Sequence, residues 1–228
     1  MCHLKRLIHS TKAKVIFISE VKSNKYSRLD LINNFCLHDS YIVPADGISG
    51  SLWLLWTEEV EVEVVKSSFN YILARVSFMQ ENFNIRSVCI YGDPYHVRTN
   101  DIWADVLDFV LLDDSPLFCI GDLNELLDGT EKLSCHAPNF NRISSFHNII
   151  HNYGLIDLGY NSPAYTWTNR HFSSDPTFQR LDRCLANAIW CNNFSNTNIY
   201  HLPNYGDHAP ILAIPLSNCV KRKRNFKF

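Results

Sequence analysis

The segment Phe118–Glu125, FCIGDLNE, ends an apolar run in a carboxylate and a carboxamide two residues apart. Alternate residues of a strand face the same side, so Asp122 and Asn124 at a strand end aim two polar side chains at one place. The pattern recurs: Glu20 closes VIFIS, Asp182 follows FQRL, and Asp207 and His208 stand directly before APILAIP. Singly, each is an ordinary solvated strand end or turn, where Asp and Asn are common. Together they are the parts needed for metal-assisted attack on a phosphate ester. A hard cation such as Mg²⁺ takes oxygen from one or two carboxylates and from the phosphate itself. A further Asp orients water or accepts its proton, while His and Asn donors meet the oxygens on which charge develops.

These side chains need strands and a frame to hold them. Leu4, Leu7 and Ile8 lie at helical spacing before the short β-branched run VIFIS. A second amphipathic segment, KYSRLDLINNF, precedes SYIVPADGISGSLWLLW, in which an apolar strand enters a glycine-containing bend and leaves as Leu52–Trp56. VEVEVVK alternates apolar and acidic residues, and YILARVSF and IRSVCIYG continue as strands. Ile102, Trp103, Val106, Leu107, Val110 and Leu111 form a helical stripe, as do Ile143, Phe146, Ile149 and Ile150 ahead of Gly154. The last third reads as short strands (AYTWTN, TFQRL, TNIYHL, PILAIPL) with a short helical piece around Asp182–Asn187. Strand runs interrupted by scattered helices indicate an α+β layer fold, in which strand ends of two sheets converge on one rim.

The 228 residues are expected to form one domain over residues 1–217, with the basic run KRKRNFKF in 218–228 a solvated tail. Hydrophobic residues make up 46% and charged residues 19%, enough apolar material for a large core and too much for disorder. A net charge of −2 gives no global positive field for a nucleic acid. A bound divalent cation, however, lets clustered carboxylates face a polyanion. The eight cysteines show no CxxC pair and no clustered Cys/His ligand spacing, which reads as buried reduced thiols. With no signal-peptide core and no span of membrane length, a nuclear or cytoplasmic location is expected.

FISEVK, IYGDP, IGDLNE, YTWTN, QRLDRCLAN and GDHAPI, in this order, resemble the endonuclease/exonuclease/phosphatase superfamily. Their wording is most similar to the endonuclease domain of plant LINE-type (non-LTR) retrotransposons, from about Leu4 to Leu216. The resemblance implies a DNase I-like four-layer α/β sandwich, two packed sheets flanked by helices, with the site on one rim. It implies Glu20 and Asp207 as metal-binding carboxylates and Tyr91 as a contact to the scissile phosphate. Asp122 would activate or orient the water, Asn124 bind phosphate, Asp182 orient the catalytic histidine, and His208 bind the phosphate. Asn169, Arg180 and Arg183 are further candidates for substrate contacts. The implied reaction is Mg²⁺-dependent hydrolysis of a DNA phosphodiester, with Mn²⁺ an equally suitable oxygen-liganded ion, by a monomer with no stable protein partner.

The chain departs from that pattern in opening directly in a helix, where the family has a strand ending in Asn. An N-terminally truncated product with reduced or absent activity and a destabilised fold is therefore expected, because unpaired ladder groups and a lost polar ligand weaken the site. Val21 stands where Thr is usual, and Gly206 where Ser is usual. The competing reading is an inactive remnant with at most weak nucleic-acid affinity. A third, a phosphatase acting on a lipid or nucleotide phosphomonoester, is disfavoured by the basic tail and by the wording LIDLGYNSPAYTWTN.

Overall fold

A computed structural model of the chain describes residues 2–21, 28–45, 50–161, 163–171, 174–203 and 206–216. The order begins α1 (Cys2–Thr11), β1 (Val15–Val21), α2 (Arg28–Phe35), β2 (Asp39–Val43), β3 (Ser51–Trp56), β4 (Val60–Ser68), β5 (Tyr71–Phe78) and β6 (Phe83–Tyr91). It continues with α3 (Thr99–Val110), β7 (Leu117–Asp122), β8 (Lys132–Leu133), α4 (Phe140–Asn152), β9 (Leu155–Asp157) and β10 (Trp167–Thr168). It ends with β11 (Phe178–Gln179), β12 (Asp182–Asn187), α5 (Ala188–Asn193), β13 (Asn198–His201) and β14 (Ile211–Ile214).

Six strands form the larger sheet in the order β4-β5-β6-β7-β12-β9. Neighbours β4, β5 and β6 are joined by tight turns and are antiparallel, whereas β6 and β7 are parallel because α3 carries the chain back over the sheet. Facing this sheet lie the three-stranded unit β1-β3-β2 and the ribbon β13-β14. Leu52, Leu54 and Trp56 of β3 meet Ile72, Ala74, Val76, Cys89 and Phe118 in the core between the layers. On the outer face of the large sheet, Trp103, Val106 and Val110 of α3 and Phe146 and Ile150 of α4 cover Leu73, Val88, Ile90 and Leu117. On the other outer face, Leu31 and Phe35 of α2, with Leu4 and Ile8 of α1, cover Trp53, Leu55, Ile16 and Ile18. The four layers expected from the sequence are present: helices, sheet, sheet, helices. Among the described residues, no helix is long and apolar enough to cross a membrane.

The expected helical piece over Asp182–Asn187 is instead β12, a strand buried between β7 and β9. The ladder partners of DRCLAN come from residues far away in sequence, and that pairing overrides its local preference. The helix starts one residue later as α5, where the Asn187 side chain accepts from Trp190 N at 2.9 Å and caps it. Most of the glycine-containing bend at 46–49 and the basic tail lie outside the described residues.

Candidate active site

Register builds the site. Asp122, the last residue of β7, sits opposite Tyr91 at the end of β6 and opposite Asp182 at the start of β12. Paired residues on adjacent strands share a face, so Tyr91, Asp122 and Asp182 form one row across three strands. Two residues further in, on the same face, Cys89, Ile120 and Cys184 belong to the core between the sheets. The row is therefore the polar end of an apolar stripe, placed where the two sheets open. The close approach of β6 to β7 beneath it needs a glycine: a Cβ on Gly121 would lie 1.9 Å from the Ile90 carbonyl oxygen.

Asn124 reaches this row by a route that strand alternation does not describe. The strand stops at Asp122, and Asn124 takes a left-handed conformation (φ 53°), which Asn tolerates better than most residues. The chain turns back, so Asn124 N donates to Asp122 Oδ1 at 3.0 Å and Asn124 Nδ2 donates to Asp122 Oδ2 at 3.1 Å. The same amide donates to the Gly92 carbonyl at 3.0 Å, tying the ends of β6 and β7 together.

His208 enters from the second layer. Its segment forms an isolated antiparallel bridge with Trp167, flanked by hydrogen bonds from Thr168 N to Asp207 O and from Ala209 N to Thr166 O. His208 Nδ1 donates to Asp182 Oδ2 at 2.9 Å, and its Nε2 faces Asp122 Oδ2 at 3.7 Å. The Asp122, Asp182 and His208 ligand atoms all lie within 4.8 Å of one another. Thr166, to which sequence reasoning assigned no role, aligns both sides of the pair. Its buried hydroxyl accepts from Leu181 N and Asp182 N, each at 3.0 Å, while its carbonyl holds Ala209. Its sequence signal was faint: a Thr in a strand-like run is ordinarily a β former.

Glu20 is set apart from the regular ladder. The β1–β3 register slips between Ile18 and Val21, and Glu20 itself has φ 56°. At this bulge Gly50 lies so close that a Cβ there would be 2.5 Å from Glu20 Cα. Bulges re-aim side chains, and here the carboxylate accepts a hydrogen bond from Tyr91 Oη at 2.5 Å. The rim is thus spanned from the second sheet to the row on the first.

The electrostatics follow from burial and the charges at hand. Burial first, and then the neighbouring Asp182, push the Asp122 carboxyl up to about 7, while His208 and the Asn124 N–H pull the other way. For His208, burial opposes the charged ring, but the hydrogen bond and charge of Asp182, aided by Asp122 and Asp207, raise it to about 9. Burial and Glu20 raise the Tyr91 phenol, so it is a donor at neutral pH. The site therefore holds a cationic histidine against Asp182 and a carboxylate near the midpoint of its titration at pH 7, the range suited to general base work.

Other expected residues are placed differently. The Asp207 side chain is exposed and lies outside the converged group, although its charge reaches His208. Asn169 organises its own loop: its Oδ1 accepts from His171 N and Thr177 N, and its Nδ2 donates to Asp175 O. The Arg180 guanidinium, expected at the substrate, is buried and bonded to Asp157 and Glu131. Arg183, fully buried, joins the same two carboxylates. Apolar surroundings and two acidic partners draw both guanidiniums inward, and neither bonds the converged group among the described residues. Glu125, quoted within FCIGDLNE without a role, is also structural: Arg142 Nη2 at 2.9 Å and Thr99 Oγ1 at 3.0 Å bond it and anchor α3 and α4 to the turn after Asp122.

The layered α/β sandwich, two packed sheets flanked by helices, is a DNase I-like fold. Among solved structures, the chain is similar to the endonuclease domain of TRAS1, a telomere-specific non-LTR retrotransposon, with a TM-score of 0.68 and 13% identity over 94% of this chain and 91% of that one. It is likewise similar to an AP endonuclease from Archaeoglobus fulgidus, with a TM-score of 0.69 and 14% identity over 93% and 92% of the two chains. Truncated TDP2 from Caenorhabditis elegans gives a TM-score of 0.59 and 14% identity over 92% and 88%. No protein-family model and no curated protein sequence matches the chain.

Proposed function

We propose that the chain is a divalent-metal-dependent phosphodiester hydrolase that nicks DNA. The observation that carries this reading is the rim itself: a buried Asp122 raised to about 7, with His208 Nε2 3.7 Å away and His208 Nδ1 anchored on Asp182. In that arrangement Asp122 takes a proton from a water attacking phosphorus in line, a bond forms from the water oxygen to phosphorus as the bond to the 3′ oxygen breaks, and that oxygen leaves as the 3′ alcohol with a proton from solvent. Cationic His208 holds a non-bridging oxygen, and neutral Tyr91 donates to the phosphate or to Glu20, whereas Asn124, expected at the phosphate, has both amide hydrogens committed to Asp122 and Gly92 and positions the Asp122 carboxylate instead. Asp182 keeps the imidazole oriented and charged. Similarity to two endonuclease structures supports the substrate class.

The residues present fit a divalent cation. The charged groups that act on Asp122 are the carboxylates of Asp182 and Glu20, against a single cation, His208. The cluster is thus rich in oxygen donors and short of positive charge, the donor chemistry of Mg²⁺ or Mn²⁺. Glu20, which meets the row through Tyr91, would hold the ion, with Asp122 and Asp182 the converged carboxylates beside it, whereas Asp207 lies outside that group. When bound, it supplies Lewis-acid polarisation of the phosphate and neutralises charge on the leaving oxygen.

A specific observation also supports the second reading, a fold that lacks turnover. Among the described residues, β1 pairs with β3 alone and β14 with β13 alone. A cleft of about 650 Å³, lined by Val15, Phe17, Leu212 and Ile214, runs between them to Asp122, Asp182 and His208. The strands carrying Glu20 and leading away from His208 are each supported on one side only.

Conversion of supercoiled plasmid to nicked circles separates the two. Nicking that requires Mg²⁺, stops with EDTA and disappears in Asp122→Ala and His208→Ala supports the hydrolase. A protein folded by circular dichroism that does not nick with Mg²⁺ or Mn²⁺ supports the inactive fold.

A further inference from the structure

A second group of ligand-type side chains converges away from the rim. Cys135 and His136 follow β8, and Asp175 lies in the loop between β10 and β11. Cys135 Sγ donates to Asp175 Oδ1 at 2.9 Å, and His136 Nε2 faces Asp175 Oδ2 at 3.2 Å. Their sulfur, nitrogen and oxygen atoms all lie within 4.8 Å of one another. The sequence shows no such clustering because the third side chain is 40 residues away and arrives only through folding; the expectation of buried thiols holds for Cys89, Cys119 and Cys184 but not for the exposed Cys135.

The scaffold holds the three in place by other bonds. β8 pairs with β11 through Leu133 and Phe178, and the Ser134 and Thr177 hydroxyls meet at 2.9 Å beside them. On the opposite side of the loop, Asn169 Nδ2 fixes the Asp175 carbonyl at 2.7 Å. We propose that Cys135, His136 and Asp175 form a binding site for a borderline-soft divalent cation of the zinc type, clipping the end of β8 to the β10–β11 loop.

The chemistry separates this site from the rim. A thiolate with an imidazole suits Zn²⁺ or Co²⁺, whereas an all-oxygen set suits Mg²⁺. Zinc bonds of about 2.0–2.3 Å at tetrahedral angles place ligand atoms roughly 3.3–3.5 Å apart. The Cys135 and His136 contacts reach the two different Asp175 oxygens, at 2.9 and 3.2 Å, and the ligand atoms lie within 4.8 Å of one another, so rotation of these exposed side chains brings one oxygen, the sulfur and the nitrogen to that spacing. All three side chains are at least partly exposed, so the ion has an entry path, and the fourth position is left for water. Binding releases the Cys135 thiol proton to solvent, and no electron is transferred. Lys132 and His171 are the charged neighbours, acting on Cys135 and Asp175 respectively. Because Trp167 of β10 bridges to His208, the clip braces the loop that leads to the rim.

Titration of the reduced full chain with Co²⁺ tests the site without reference to catalysis. The expected result is about one equivalent bound with a thiolate-to-cobalt charge-transfer absorption. That absorption disappears in Cys135→Ser, and affinity falls by about tenfold or more in His136→Ala and Asp175→Asn. Asp122→Asn, at the rim, retains it. Zn²⁺ raises the melting temperature of the wild type but not of Cys135→Ser. Absence of the charge-transfer absorption, or its survival in Cys135→Ser through another thiol such as Cys36, overturns the proposal.

Discussion

Asp157→Ala tests whether Arg180 belongs to the frame or to the substrate. Asp157 accepts three charge-assisted bonds: from Arg180 Nη1 at 2.8 Å, Arg180 Nη2 at 2.7 Å and Arg183 Nη1 at 2.8 Å. Removing it leaves two guanidiniums facing Glu131 alone, so a buried group of balanced charge becomes one with a net positive charge. The Arg183 side chain is 0% exposed and that of Arg180 6%, so water cannot replace the lost partner. Breaking a buried ion pair from one side costs about 3–5 kcal/mol. The 20% exposure of the Asp157 side chain favours the lower end. For a chain of this length each kcal/mol shifts the melting temperature by about 2–4 °C, giving an expected fall of about 6–20 °C. Circular dichroism melts of wild type, Asp157→Ala and Arg180→Met at one pH provide the measurement. A fall of less than about 2 °C in Asp157→Ala, or an Arg180→Met protein that melts as wild type yet loses nicking, would refute the reasoning and return Arg180 to the substrate.

Asp182→Asn keeps the side-chain shape but removes the charge that faces His208. The lost charge-assisted contribution of about 1.5–3 kcal/mol corresponds to nicking slower by roughly 10- to 150-fold, and an unchanged rate would show that His208 works without Asp182. The buried quartet also sets an acid limit on the fold. Burial disfavours the ionised forms of Asp157 and Glu131, but Arg180 and Arg183 outweigh it and hold both below their ordinary values of 3.8 and 4.5. Groups with depressed folded values stabilise above the unfolded value and lose that contribution as pH falls through the folded one. Melting temperature is therefore expected to drop below about pH 4, and to do so less steeply in Asp157→Asn.

Much of the frame was legible because it rests on local patterning. The alternation in VEVEVVK, the β-branched run VIFIS and the stripe from Ile102 to Val110 each declare a period, and β4, β1 and α3 follow from them. Polar residues ending apolar runs likewise marked Glu20, Asp122, Asp182 and His208 as residues that a rim would bring near one another. Their distances and roles depended on partners distant in the chain. Register placed Tyr91, Asp122 and Asp182 in one row, and a bulge against Gly50 turned Glu20 toward Tyr91. Sheet pairing made DRCLAN a strand where its local reading was helical. Arg180 and Asn169 looked available only because nothing in the sequence shows that Asp157, Glu131 and Asp175 would occupy them. The same long-range closure brought Asp175 to Cys135 and His136. Periodicity is a property of neighbours along the chain, so the sequence carries it openly. Which charge meets which is settled by loop closure and burial, and only the folded chain pairs residues so far apart.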